Sequence, residues 1–172
     1  MVSTHSPDAL KTARFAATTN NDYSLDDSAK SQLISINVAC VNQIETAAGT
    51  CIDTIRDLKG TQPNRDNWGN AIKSAYLTAK HSFSSQIDKA MDEAIKVIDA
   101  FPPAQQDGAA DFMCNSMDIV ADAVDQALPE LGSIGGRYLE DLLAGKWNKL
   151  TGVENEVKAT CVAAVNALNS ML

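Results

Sequence analysis

Apolar residues recur along most of this chain at steps of three and four. From Leu33 they fall at Ile36, Cys40, Ile44, Ala47, Cys51, Ile55 and Leu58, so 25 residues pass in seven steps. A repeat near 3.57 residues marks one buried face of a helix, because a strand alternates with a period of two. The pattern predicts a long first helix from Ser24, where Ser24 and Asp27 form a variant capping box. Gly49 costs that helix about 1 kcal/mol without ending it, and Lys59 and Gly60 stop it.

The same periodicity predicts three more helices and a short extra one. Trp68, Ile72, Tyr76, Ala79, Phe83, Ile87 and Met91 share one face of a second helix. It ends at Phe101, because Pro102 and Pro103 cannot continue it. A third helix runs from Ala104 or Asp107 to Leu128, with Met113, Cys114, Met117, Val120 and Val124 inward and Pro129 closing it. Leu131 to Gly136, with three glycines, reads as a loop. A shorter helix is predicted over Arg137 to Leu150. A last one starts at Thr151, where Glu154 completes a capping box and Val153, Val157, Cys161, Ala164 and Leu168 face inward. Near the start, Ser6 and Pro7 read as an N-cap and first helical residue of a short helix to Ala17. Residues 1–23 form an N-terminal segment and 24–172 a single all-α, up-down bundle of four to five helices. No segment alternates for long enough to predict a strand.

Cysteine is the residue type that most constrains how these helices pack. Cys40 and Cys51 sit on one face of the first helix. A continuous helix separates them by roughly 16 Å, and a disulfide needs Cα atoms within about 7 Å. In an up-down bundle Cys51 and Cys161 fall at matched heights, as do Cys40 and Cys114, so two bridges are predicted: Cys51–Cys161 and Cys40–Cys114. Two alternatives stand beside this pairing. A break at Gly49 would join Cys40 to Cys51 and leave Cys114 for Cys161. Alternatively, all four are free thiols, packed as small hydrophobes. Bridges would imply a secreted chain; free thiols would imply a cytoplasmic one.

Composition excludes several functions. The formal net charge is −8, and the 14 Lys and Arg residues form no basic stripe, which argues against nucleic acid. No run of about 20 apolar residues predicts a membrane span. Met1 to Asn21 is polar and has no apolar core like that of a signal peptide. The chain therefore reads either as intracellular or as a mature secreted form whose signal peptide has been removed.

Candidate chemistry is sparse. His5 and His81 lie near no nucleophile or ligand set. The carboxylates of Asp53 and Asp57, of Asp88 and Asp92, and of Asp118, Asp122 and Asp125 recur at helical spacing without the Glu-x-x-His pattern of a di-iron bundle. Gly132, Gly135 and Gly136 lack the Gly-Lys-Ser/Thr of a phosphate loop. No catalytic residue, metal or cofactor is predicted. Trp68 and Trp147 fall toward one end of the bundle. With Tyr76, Arg137 and Tyr138 they form the predicted surface for a protein partner or a small apolar ligand.

Two family resemblances bear on this. CNSMDIVADAVDQAL, from Cys114 to Leu128, is similar to the third-cysteine helix of plant invertase and pectin methylesterase inhibitors. The chain lacks that family's N-terminal cysteine hairpin, however, and it ends eleven residues after Cys161, which disfavours membership. The segments ACVNQIETAAGTCIDTI and VKATCVAAVNALNSML resemble small secreted helical proteins of insects, including salivary ones. That resemblance implies binding or scavenging rather than catalysis. The leading expectation is a secreted, non-enzymatic binding protein, monomeric or weakly dimeric. The alternatives are an amphipathic lipid-associating bundle and an intracellular adaptor or effector with free thiols.

Overall fold

A computed structural model describes residues 23–172. Among them are six α-helices, one 3-10 turn and no strand. The helices are α1 Asp27–Arg56, α2 Leu58–Thr61, α3 Trp68–Asp99, α4 Pro103–Gly135, α5 Leu139–Leu143 and α6 Asn148–Asn169; the 3-10 turn is Arg65–Asn67. The helix predicted for Ser6 to Ala17 lies outside the described residues.

The long helices form an up-down-up-down bundle. Two polar links between α1 and α4 each join residues 79 apart: Asp26 N donates to Gln105 Oε1 at 3.5 Å, and Asn37 Nδ2 donates to Ser116 Oγ at 2.7 Å. A constant offset means that α1 and α4 run parallel. Arg56 meets Glu154 at 3.2 Å where α1 ends and α6 begins, so that pair is antiparallel. Tyr76 packs on Gly132 and Ile72 on Gly135, which makes α3 antiparallel to α4. Helices α1 and α4 each pack on all three other long helices, whereas α3 and α6 lie on opposite sides. The predicted stripes supply the core: Leu33, Ile44, Phe83, Met91, Met113, Met117 and Leu168 have no exposed surface.

Helix boundaries depart from expectation in three places. Asp26 caps α1 by accepting from Ala29 N at 2.7 Å, because Ser24 sits in the left-handed region at φ 52°. Pro129 does not close α4, which runs on to Gly135. The proline ring is exposed, while Leu131 and Ile134 beyond it are fully buried. Their burial, about 1.5–3 kcal/mol each, offsets the one main-chain N–H that proline removes. The helix predicted over Arg137 to Leu150 is consequently cut down to α5, and α6 begins at Asn148 rather than Thr151.

Candidate functional site

One end of the bundle is built from the close of α1 and α4, the starts of α3 and α6, and the short elements between them. Trp68 opens α3 and is 3% exposed; its Nε1 donates to Gln62 O at 2.8 Å, which closes the turn after α2. Trp147 is the N-cap residue of α6 and half-buried. The two indoles meet edge to face, with centroids 5.4 Å apart and planes at 66°. That is a favoured arrangement, because the positive ring edge points at the negative face.

Cations lie over these rings. Lys59 Nζ is 4.4 Å from the Trp147 ring centroid and the Arg65 guanidinium 5.4 Å from that of Trp68. Tyr138 carries Arg137 at 5.4 Å and Lys149 at 5.8 Å. Each contact is an attraction between a positive head and the ring quadrupole. Arg65 Nη1 also donates to Leu143 O at 3.0 Å, tying the 3-10 turn to α5. Leu139 of α5 packs on Gly69 in the first turn of α3, which holds the Tyr138 side of the cluster in place.

Of the five residues predicted for this surface, the structure joins Trp68 directly to Trp147 and joins Arg137 to Tyr138, all at one end. Tyr76 lies two turns further down α3, against Gly132 of α4, and serves packing there. Lys59, Arg65 and Lys149 were not predicted. Their signal was present nonetheless: Lys59, Arg65, Arg137, Lys146 and Lys149 all flank one of the two tryptophans in the sequence. The 14 basic residues are scattered along the chain, but the fold gathers these five at one end. With Asp57, Asp66, Glu140 and Asp141 beside them, that end is close to neutral. The other end carries Asp26, Asp27, Asp99, Asp107 and Asp111 against Lys30 and Lys96.

Neither predicted disulfide is present: Cys40, Cys51, Cys114 and Cys161 are all free and buried. Helix α1 is continuous through Gly49, so Cys40 and Cys51 do stay apart as the first helix required. Register and face explain why the other pairings do not form. The 79-residue offset sets Cys40 level with Ile119, so Cys114 lies five residues lower, about 7.5 Å along the axis. The antiparallel Arg56–Glu154 contact sets Cys51 level with about residue 159, so Cys161 is within about two residues of its height, and face rather than height keeps these two apart. Cys51 and Cys40 line the grooves that α1 shares with α3, a helix without cysteine. Burial pushes the Cys40 thiol up to about 12 and those of Cys51, Cys114 and Cys161 up to about 11, from an ordinary value of 9.0. Such thiols are protonated and inert at neutral pH.

Among the described residues no three His, Cys, Asp or Glu side chains converge as metal ligands. No helix among them is long and apolar enough to cross a membrane. Comparison with protein-family models, curated proteins and solved structures returned no match.

Proposed function

We propose that this chain is a non-catalytic helical binding protein that takes a protein partner at its Trp68 and Trp147 end. One observation carries the reading. Two tryptophans far apart in sequence meet at 5.4 Å under a set of cations, at the one near-neutral end of an acidic bundle. Tryptophan, tyrosine and arginine are the residues that dominate binding energy in protein interfaces. The partner surface that suits this end is acidic or rich in carbonyl acceptors, because Lys59, Arg137, Lys146 and Lys149 all offer donors there.

A photo-crosslinking side chain at position 59 or 137, compared with one at 30 or 96, tests the placement in material from the protein's source. Adducts of defined mass are expected from the aromatic end alone. Trp147→Ala should weaken partner capture by roughly thirtyfold, as a hot spot does, while the half-buried position costs only about 1 kcal/mol of stability. Trp68→Ala costs about 3–5 kcal/mol because Trp68 is core, so it reports on folding rather than binding. Adducts formed equally from both ends, or capture unchanged in Trp147→Ala, sink the proposal.

The extracellular setting rested on bridges between helices. With the four thiols unbridged, that support falls away. The same observation favours a second setting for the same surface, an intracellular adaptor. Counting alkylatable thiols after denaturation, on protein isolated from its source without reductant, separates the two: four per chain supports the adaptor, none the secreted form.

A further inference from the structure

At the opposite end of the bundle, the close of α3 and the start of α4 part around a cavity of about 100 Å³. Its apolar lining includes Met91, Ala94, Ile98 and Met113, all buried, with Met91 and Met113 fully so. The charged residues of its lining are both acids, Asp99 and Asp107, and both are exposed. The site is therefore dry inside and anionic at its mouth. Gln106 also lines it, but its Nε2 is turned back to donate to Phe101 O at 3.0 Å across the turn.

Helical cores leave few voids larger than a water molecule, and a longer side chain at Ala94 would fill this one. Size and charge choose the occupant. An engineered dry cavity of about 150 Å³ accepts benzene. A cavity of about 100 Å³ is smaller than that and opens past the exposed Asp99 and Asp107, so it suits a slender unbranched chain that reaches in from the mouth. Two methionines give it adaptable walls. A carboxylate head would meet Asp99 and Asp107 with like charge, whereas an ammonium would meet them with opposite charge. We propose that this cavity binds a small unbranched primary amine, its alkyl chain between Met91 and Met113 and its ammonium group at Asp99 and Asp107. The inference is independent of the aromatic end.

The test titrates the full chain with n-hexylammonium, hexan-1-ol and hexanoate at neutral pH, reading the methyl resonances of the methionines. Hexylammonium is expected to shift Met91 and Met113 saturably and to bind roughly fivefold tighter than hexanol, with hexanoate weaker than both. Replacing Asp99→Asn and Asp107→Asn together should remove the difference among the probes and leave hexanol binding in place. Ala94→Leu should abolish binding of all three; if it fails to fold, Ala110→Leu on the partly exposed wall gives the same reading. The Trp147 indole resonance should not move, which keeps this result separate from that of the aromatic end. Absence of a saturable methyl shift, equal binding of hexanoate and hexylammonium, or binding that survives the filled cavity overturns the proposal.

Discussion

The four cysteines show how little a residue's type says without its surroundings. Each is a thiol held neutral by burial, so a thiol reagent at pH 8 should label none of them in the native protein and all four after denaturation. The raised values also predict a pH dependence. The unfolded chain loses its thiol protons near 9, whereas the native chain keeps them until about 11 or 12. Between those limits the native state binds more protons, so stability is fully present below pH 9 and falls as pH rises above it. Urea unfolding at pH 8 and 10.5 measures the fall, and replacing Cys40 and Cys51 by alanine should reduce it, with Cys114 and Cys161 supplying the remainder. Asn37 is the other decisive residue. It has no exposed surface; its Nδ2 donates to Ser116 Oγ, which in turn donates to Met113 O at 3.0 Å. This is one polar layer in an apolar seam, and its value lies in register, because any axial slip of α1 on α4 would bury both groups unmatched. Asn37→Ala is expected to cost about 2–3 kcal/mol in equilibrium unfolding. A cost below about 0.5 kcal/mol would show that the layer does not hold the register.

At the level of elements, α4 shows tertiary burial overriding a local stop signal. Pro129 ends a helix on any reading of local preference, yet four apolar positions in step, Val124, Ala127, Leu131 and Ile134, carry the helix past it into the core. If that account holds, Pro129→Ala should keep the fold and raise stability by about 1 kcal/mol, since it restores a main-chain donor at an exposed position. A loss of stability would mean that the proline's restriction of the unfolded chain outweighs the missing bond. The extension of α4 also sets the aromatic end. By consuming the predicted loop it leaves only a short stretch before α6, and that stretch folds into the single turn of α5. Held by Leu139 on Gly69 and by Arg65 on Leu143 O, this turn carries Tyr138 and Trp147 to the start of α3.

At the scale of the whole molecule, charge is unevenly spread: aromatic and near neutral at one end, acidic at the other. Self-repulsion in a chain of net charge −8 works against the compact state. Salt screens it over a Debye length of about 10 Å at 0.1 M. The melting temperature is therefore expected to rise as sodium chloride goes from low to moderate concentration. A fall would show that pairs such as Arg56 with Glu154, at 3.2 Å, outweigh the repulsion.

The run of apolar residues at three- and four-residue steps was enough to determine the four long helices and their inward faces, because each of these depends on neighbours within a few turns, and the short connections between them gave the up-and-down order. The separation of Cys40 from Cys51 was equally legible, since a continuous helix fixes the rise between them. The exact level of one helix against another was not, and the disulfide expectation depended on it. A displacement of five residues between facing helices is invisible to periodicity, which is unchanged by sliding one stripe along another. That level was decided by Asn37 against Ser116 and by the packing around them. The cation-covered aromatic end and the cavity beside Met91 and Met113 likewise exist only where segments from different helices are brought together in space.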